Sequence, residues 1–399
     1  MTSSIMSPEK IISCGGIPAS RPPDSKKIMI VAGEQSGDLH GSNLVRAMHR
    51  IDPDLRFYGI GGRKMREAGV ELIADAADMA VVGLTEVVGK LGMILSVMRR
   101  MKLALKKLKP ALLILIDYPD FNLRLGKAAK KNGVRVFYYI SPQIWAWRKG
   151  RIHKIREIVD KMAVILPFEE QVYRQVSMDV SFVGHPLLDV VKTKYARQEA
   201  LRKFDLQDGI TTVGLLPGSR EVEVSKLLPV MLKAARILMQ SRPPVQFVLP
   251  LADALDRDFV EEMIRQEAVP VRVVPNEIYD VIGVSDIVIV ASGTATLETA
   301  LLGTPMVIIY KVSPLSYYVG TKVINVTHIG LANLIAGKTI VPELIQDDAN
   351  PNRIAAEVIG ILADESRMQS IKEELNQIRE KLGSPGASEK AARLAYDML

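Results

Sequence analysis

The regular alternation of short apolar runs with amphipathic helical segments constrains the fold of this chain most. Lys27–Ala32 has the pattern of a buried strand, and the helical segment after it carries Leu44, Val45 and Met48 on one face. A strand–helix–strand series of this kind favours parallel sheets. Nine further strands are predicted at Arg56–Ile60, Ala111–Ile116, Val134–Ile140, Met162–Leu166, Thr211–Gly214, Gln246–Pro250, Val271–Val274, Asp286–Val290 and Met306–Tyr310.

The chain is long enough for two domains. Its 399 residues exceed what one hydrophobic core usually serves. The strand pattern is lost and charge increases between Gly184 and Glu199, which marks a linker. The predicted fold class is α/β, with two Rossmann-like domains whose mostly parallel sheets face an interdomain cleft. The predicted parts are a disordered extension (1–26), a first domain (27–190), a second domain (191–355) and C-terminal helices (356–399).

Composition and spacing exclude several classes of protein. The single cysteine, Cys14, excludes an internal disulfide and fits a reducing compartment. No run of eighteen apolar residues exists, so no membrane span is expected. The five histidines lack metal-ligand spacing, and Lys64 stands where a dinucleotide-binding G-x-G-x-x-G motif needs its last glycine. Neither a metal nor a cofactor is expected.

The basic charge lies in the first half of the chain. Residues 1–190 carry 29 Lys and Arg against 19 Asp and Glu, whereas residues 191–399 carry 23 against 26. A basic half suggests an anionic partner such as nucleic acid, a membrane surface or a phosphorylated substrate, although a solvated surface is the simpler explanation. No nucleic-acid-binding signature is present, so a nucleic acid is not the expected partner.

Two small-residue turns in the second half predict a nucleotide site. L-L-P-G-S-R-E-V-E at 215–223 and A-S-G-T-A-T-L-E at 291–298 each follow a strand pattern and precede a helix. Such turns present backbone N–H groups and a helix N-terminus to a phosphate. Arg220 adds a fixed charge, and Glu298 could accept hydrogen bonds from a ribose. Either turn alone could be an ordinary strand–helix connection, but together they predict a bound nucleoside diphosphate.

The loops of the first half suggest the chemistry. The glycine-containing run 32–38 follows the first strand and includes Glu34, Ser36 and Gly37, which a ligand could approach closely. Asp38 is a candidate cap for the following helix. Asp117 comes directly after a strand and is placed for a general base, although aspartate is more often a cap or turn residue. Asp120 fits the capping role better than Asp117.

Both tryptophans lie in one loop of the first domain. S-P-Q-I-W-A-W-R at 141–148 contains Ser141, Gln143, Trp145 and Arg148. Two aromatic side chains beside several cations could line a site for a large amphipathic, phosphorylated ligand. A tryptophan pair packed under a loop is the structural alternative.

These motifs resemble the lipid-A-disaccharide synthases. The matching strings, in order along the chain, are A-G-E-x-S-G-D (32–38), I-D-Y-P-D-F-N (116–122), S-P-Q-I-W-A-W-R (141–148), L-P-F-E (166–169), F-V-G-H-P (182–186), L-L-P-G-S-R (215–220), A-S-G-T-A-T-L-E (291–298) and N-L-I-A-G (333–337). The resemblance runs from about residue 27 to the end and does not include the N-terminal extension.

The resemblance implies a GT-B fold and an inverting, metal-independent glycosyl transfer. The implied reaction joins UDP-2,3-diacylglucosamine to 2,3-diacylglucosamine 1-phosphate (lipid X), as in the lipid A biosynthesis of Gram-negative bacteria. Asp117 would be the general base. The implied UDP contacts are Gly218, Ser219, Arg220, Ser292, Gly293, Thr294, Glu298 and Asn333. The implied sugar contacts are Glu34, Ser36, Gly37, Ser141, Gln143, Trp145 and Arg148.

Because acylated substrates reside in a membrane, the segment 79–109 is a candidate membrane-binding segment. Its apolar stretch includes Val87, Val88 and Leu91 and ends at Met98, and a run of cations from Arg99 to Lys109 follows at once. Apolar residues flanked by cations suit a peripheral position on the anionic inner membrane, at its cytoplasmic face, for a protein that is also partly cytoplasmic. A core helix with a basic tail would have the same sequence pattern. A different UDP-sugar enzyme of the same fold, such as an epimerase, and a homo-oligomer both remain open.

Overall fold

The computed structural model describes residues 26–76, 84–142, 144, 149–241, 244–312 and 328–399, without the side chains of 35, 84–91, 149 and 241. The chain divides into two compact units. One contains the residues up to Tyr138 together with Ala392–Leu399, and the other contains Tyr139–Ala391. The predicted domain bounds stay a prediction. The strands of the first sheet extend to Phe182, whereas the compact units divide the chain after Tyr138.

The first sheet has seven strands in the order β3-β2-β1-β4-β5-β6-β7. Strands with a defined register pair in parallel, for example β1 with both β2 and β4. All five residues of β4 are buried, because helices cover both faces of a parallel sheet. The strands are β1 (Lys27–Ala32), β2 (Arg56–Gly61), β3 (Val70–Asp75), β4 (Leu112–Ile116), β5 (Arg135–Tyr139), β6 (Lys161–Val164) and β7 (Val180–Phe182).

The second sheet has six strands in the order β10-β9-β8-β11-β12-β13. Its pairs are parallel, and a large cluster of buried aliphatic residues packs around it. The strands are β8 (Thr211–Leu216), β9 (Val245–Leu251), β10 (Val271–Pro275), β11 (Ile287–Ala291), β12 (Met306–Tyr310) and β13 (Glu343–Ile345). The predicted α/β class with two parallel-sheet Rossmann-like domains is confirmed.

Helices connect the strands of both sheets. They are α1 (Gln35–Ile51), α2 (Arg63–Glu67), α3 (Leu84–Leu108), α4 (Pro119–Lys131), α5 (Ile152–Ile158), α6 (Pro167–Arg174), α7 (Leu187–Val190), α8 (Arg197–Lys203), α9 (Glu221–Ser241), α10 (Arg257–Glu267), α11 (Ile278–Val284), α12 (Thr294–Leu301), α13 (Leu331–Ala336), α14 (Pro351–Ala363), α15 (Glu365–Lys381) and α16 (Ala387–Tyr396). Within the described ranges, none of these helices combines the length and apolar character required to cross a bilayer.

Each sheet reverses its strand order at one point. In the first sheet the reversal lies between β1 and β4, and in the second it lies between β8 and β11. Register pairs Ala32 with Ile116 and Leu216 with Val290, so the loops after these strands leave each sheet side by side. Ligands of open parallel sheets bind beyond the carboxyl ends of the strands at such a reversal. The fold therefore brings the motifs together in two pairs, one pair at each reversal.

Candidate functional site

Asp117 is the first residue after β4, and its backbone is unusual. Asp117 and Tyr118 have φ angles of 44° and 47°, a left-handed conformation that non-glycine residues seldom adopt. The carbonyl oxygen of Asp117 accepts hydrogen bonds from Tyr138 Oη and Asn122 Nδ2, each at 2.6 Å. Asn122 Nδ2 also donates to the carbonyl of Ile116 at 3.1 Å. The side chains of Tyr138 and Asn122 therefore fix the backbone of this loop.

The carboxyl group of Asp117 lies in an environment suited to a base. Burial raises the pKa of Asp117 to about 6, and the nearby negative charge of Glu34 adds to the rise. A hydrogen bond from the backbone N–H of Tyr118 acts in the opposite direction. A carboxyl group with this pKa is still ionised at neutral pH, yet it binds a proton more tightly than an ordinary aspartate.

The loop after β1 lies beside Asp117. Glu34, at the position before α1, and Ser36 are exposed, whereas Gly37 is buried. A Cβ atom on Gly33 would lie 2.3 Å from Cγ of Tyr118, so this glycine makes room for the tyrosine ring. The structure thus places Glu34, a candidate sugar contact, and Asp117, the candidate base, at the same sheet reversal.

Two predicted helix caps are wrong. Helix α1 begins at Gln35, so Asp38 lies inside it; its carboxylate instead accepts N–H groups of Gly62, Lys64 and Met65 at 2.7–3.0 Å, around the start of α2. These partners are more than twenty residues away in the sequence, which a local pattern cannot show. Asp120 is the second residue of α4, and Tyr118 occupies the cap position. An acidic side chain in the first turn still favours the helix N-terminus.

Ser141 anchors the tryptophan loop. Its hydroxyl is buried and donates to Glu169 Oε1 at 2.6 Å, while Glu169 Oε2 accepts the N–H of Leu166 at 3.1 Å. Tyr173 Oη donates to the carbonyl of Pro142 at 3.3 Å. These contacts fix the orientation of the Ser141 hydroxyl, and its contact with a sugar stays a prediction. The other three candidates of this loop, Gln143, Trp145 and Arg148, lie outside the described residues.

The first of the two turns that predict a nucleotide site follows β8. Gly218 has a φ of +117°, and a Cβ atom there would lie 2.6 Å from Glu223 Oε2. Ser219 and Arg220 are exposed ahead of the 21-residue helix α9. Arg220 Nη1 lies 3.2 Å from Glu223 Oε1, and both side chains are about half exposed. A phosphate at this helix end would therefore compete with Glu223 for Arg220.

The second nucleotide turn follows β11. Gly293 and Thr294 are exposed at the start of α12, and no atom lies within 4 Å of the place where a Cβ of Gly293 would be. Ser292 Oγ donates to the carbonyl of Ile329 at 3.1 Å. The open space beside Gly293 leaves the backbone accessible to a ligand.

Glu298 lies one turn further along α12. Tyr279 Oη donates to Glu298 Oε1 at 3.1 Å. Burial raises the pKa of Glu298, and the hydrogen bond from Tyr279 counteracts the rise. The hydrogen bond from Tyr279 orients one carboxylate oxygen of Glu298. The other carboxylate oxygen could then accept hydrogen bonds from the hydroxyl groups of a ribose.

The side chain of Asn333, an implied UDP contact, is committed to hydrogen bonds within the protein. Its side chain has no exposed surface. Its amide group donates to Val341 O and Glu343 Oε1, and its oxygen accepts the N–H groups of Ile340 and Val341, all within 3.1 Å. An asparagine side chain makes four hydrogen bonds at most, so its capacity is used. We call Asn333 and its hydrogen-bond partners the frame, and a direct contact of Asn333 with UDP stays a prediction.

The frame reaches the second turn through Glu343. This carboxylate also accepts the backbone N–H groups of Ile329 and Gly330 at 2.9 and 3.1 Å. Since Ser292 is bonded to Ile329, the segments 291–294 and 328–333 are connected. The sequence reading missed Glu343, Tyr279 and Tyr138, because each acts through a contact far along the chain. A polar residue at the end of a buried strand run, as at Tyr138, was the only available signal.

Helix α3 lies within the predicted membrane segment 79–109 and has two distinct faces. Val97, Met98, Met101 and Leu105 are buried, which fits a core helix. Leu95 and Leu103 are half exposed on the other face, where the side chains of Arg99, Lys102, Lys106 and Lys107 are also exposed. The side chains of Val87, Val88 and Leu91 lie outside the described residues. The same helix therefore serves the core and presents a mixed apolar and cationic surface.

No three side chains of His, Cys, Asp or Glu within the described ranges come together as a metal ion would require.

Comparison with known proteins identifies the family. A sequence model described as lipid-A-disaccharide synthetase matches residues 28–397. The lipid-A-disaccharide synthase of Syntrophus aciditrophicus is 60% identical over 377 residues, which cover 94% of this chain and 98% of that protein. The enzyme of the same name from Geobacter sulfurreducens is 50% identical over 375 residues, with the same shares covered.

Solved structures establish the fold. A MnaA–UDP co-structure from S. aureus matches with a TM-score of 0.61 at 13% identity, covering 92% of this chain and 94% of that one. MurG of Acinetobacter baumannii matches with a TM-score of 0.58 at 13% identity, covering 94% and 99%. These likenesses show the GT-B fold. The chain belongs to the lipid-A-disaccharide synthase family, and it is a glycosyltransferase of lipid A biosynthesis.

Proposed function

We propose that this enzyme joins UDP-2,3-diacylglucosamine to 2,3-diacylglucosamine 1-phosphate with inversion at C1. In this reaction Asp117 takes the proton of the acceptor's 6-hydroxyl group, and the oxygen of that hydroxyl group forms a bond to C1 of the donor. The bond from C1 to the phosphate oxygen breaks, and its electron pair leaves with UDP. The products are the β-1,6-linked disaccharide 1-phosphate and UDP.

The observation that carries the proposal is the environment of Asp117. It follows β4 at the reversal of the first sheet, and burial raises its pKa to about 6. A base with a pKa near the operating pH accepts a proton in the transition state and releases it to solvent afterwards. Glu34, exposed beside it, is the second candidate for this role.

The second unit is the proposed UDP site. The turns after β8 and β11 supply backbone N–H groups, two helix N-termini and Arg220 for the diphosphate. Negative charge develops on the leaving UDP, and such donors stabilise it. Glu298 is the proposed ribose ligand. In support, the matching structure from S. aureus is a complex with UDP.

The exposed face of α3 is the proposed contact with the membrane. Leu95 and Leu103 lie among four exposed cations. Such a face suits peripheral binding to an anionic bilayer, where the acylated substrates reside. The proposed location is therefore the cytoplasmic face of the inner membrane.

A single-turnover assay with both acylated substrates tests the function. The wild-type enzyme should release UDP and form the disaccharide, while unacylated UDP-N-acetylglucosamine should react poorly. Asp117→Asn should lower turnover by about 10²–10⁴ without loss of UDP affinity. Asp120→Asn, an exposed position three residues away, is the matched control and should retain turnover. Near wild-type turnover of Asp117→Asn at saturating substrate would move the base elsewhere, with Glu34 next.

A further inference from the structure

The turn that carries Asp117 is held in a conformation it would not adopt alone. We call Asp117 and Tyr118 the elbow. Both have positive φ angles, and neither is glycine. Strain of this kind persists only where the surrounding structure holds it, and it is concentrated at functional sites. The contacts that hold the elbow therefore decide where the Asp117 carboxylate points.

Two buried side chains hold the elbow at a single atom. Tyr138 Oη and Asn122 Nδ2 both donate to the carbonyl oxygen of Asp117 at 2.6 Å, and neither side chain has exposed surface. A carbonyl oxygen has two lone pairs, and both are used here. Tyr138 belongs to β5 and Asn122 to α4, so the elbow is tied to two separate elements.

A third contact limits movement from the opposite side. The ring of Tyr118 packs over Gly33 at the end of β1, where even a methyl group would overlap it. The same ring lies 5.8 Å from the ring of Phe121 in α4. The elbow is thus enclosed by β1, β5 and α4.

We propose that Tyr138 and Asn122 are positioning residues, which hold the elbow so that the Asp117 carboxylate meets the acceptor hydroxyl. The inference rests on the proposed role of Asp117 as the base. Loss of either hydrogen bond lets the left-handed backbone relax, and the carboxylate moves with it. A displacement of about 1 Å at a reacting group can lower the rate about a hundredfold.

The chain supplies a matched pair of variants for the test. Tyr138→Phe removes only the hydroxyl that donates to Asp117. Tyr139→Phe removes the hydroxyl of the next residue in β5, which is also fully buried but interacts with Ser388 and not with the elbow. Neighbouring strand residues point to opposite faces of the sheet, so Tyr139 is directed away from the elbow. Both variants lose one buried oxygen, but only one loses a contact with the elbow.

The expected result is a change in kcat without a change in substrate binding. Tyr138→Phe should lower kcat by about 10- to 100-fold while KM stays within about threefold. Its acid limb in the kcat–pH profile should move to lower pH, because a relaxed elbow exposes the Asp117 carboxyl to water and lowers its pKa. Tyr139→Phe should keep the wild-type kcat and acid limb. A merely structural role for Tyr138 would leave the pH profile unmoved.

Other outcomes would overturn the inference. Wild-type kcat in Tyr138→Phe, or an equal loss in Tyr139→Phe, would contradict it. If Tyr138→Phe does not fold, Asn122→Ser removes the other donor and should show the same change in kcat and pH profile; normal turnover in that variant would also contradict the inference. Asp117→Asn is measured in parallel. An inactive Asp117→Asn beside an unaffected Tyr138→Phe refutes the positioning role alone, whereas an active Asp117→Asn refutes the proposed base.

Discussion

Replacing the proposed base should make the enzyme more stable at alkaline pH while it removes turnover. Burial raises the pKa of Asp117 from 3.8 to about 6, so the ionised carboxylate is disfavoured in the folded protein. A difference of about two pKa units corresponds to roughly 3 kcal/mol. Asp117→Asn keeps the shape and can still accept the N–H of Tyr118. It should therefore raise the free energy of unfolding by up to about 3 kcal/mol at pH 8.

The sign of the effect depends on pH in a defined way. Below the unfolded-state pKa of 3.8, Asp117 is protonated in both states, and the stability it contributes is fully present. As pH rises through about 6, the folded protein must release a proton that it binds more tightly, and that stability is lost. The gain from asparagine should consequently be absent near pH 3.5 and complete by pH 8.

His40 changes stability in the opposite direction over the same range. Burial, with a smaller effect of Lys64, lowers the pKa of His40 to about 4, so acid favours the unfolded state, where the ring is readily protonated. The pH dependence of wild-type stability therefore combines two opposing effects. Only the difference between variant and wild type isolates Asp117.

Urea unfolding at several pH values measures this difference. Wild type, Asp117→Asn and Asp120→Asn would be compared at pH 4 and pH 8. The exposed Asp120 should give a small change at both values, since a hydrated carboxylate carries little burial cost. An Asp117→Asn variant no more stable than wild type at pH 8, or equally stabilised at both pH values, would refute the burial of a charged base.

Three further outcomes follow from the structure. Arg220→Ala should weaken UDP binding about 10- to 100-fold in calorimetry, as expected for the loss of a charged hydrogen bond. Glu223→Gln should strengthen UDP binding, because it removes the carboxylate that competes for Arg220. Unchanged UDP affinity in both variants would remove this pair from the site. Leu95→Ser combined with Leu103→Ser should lower co-sedimentation with anionic vesicles, and salt should weaken the remainder, with UDP affinity as the control. His40→Leu should abolish the loss of stability, up to about 3 kcal/mol, between pH 6.5 and about 4, and a persistent loss would assign it to other groups.

Nine of the ten strands that the sequence predicted lie inside their sheets, and the tenth, β10, lies at an edge. All ten predicted strands exist, and Lys27–Ala32 and Met306–Tyr310 have the predicted bounds. Three strands were missed: β3, β7 and β13. Each lies at the edge of its sheet, and two of them have only three residues. An edge strand has one partner and partial burial, so its sequence lacks the continuous apolar run that marks a central strand.

Site residues on short local motifs were easier to predict than the residues that support them. The turns at Gly218 and Gly293 and the carboxylate of Asp117 all follow strands, as predicted, and the structure adds that these strands lie at the sheet reversals. Asn333 belongs to an equally specific motif, yet its hydrogen bonds all go to the protein. A motif shows that a residue is needed but does not show whether it contacts the ligand or the frame, because that depends on burial.

The proposed base and the proposed nucleotide turn differ in how the protein holds their side chains, and the proposed chemistry explains the difference. The base must be partly desolvated and fixed in direction, which costs stability through burial and two left-handed residues; Tyr138, Asn122 and the space at Gly33 offset that cost. In the proposed reaction, in contrast, UDP must leave after every turnover. Arg220 is accordingly exposed and paired with Glu223, a partner that can take it back when UDP departs. A rigidly buried arginine would bind UDP more tightly but would slow its release. The exposed pair of Arg220 and Glu223 therefore suits a site that binds and releases UDP in each catalytic cycle.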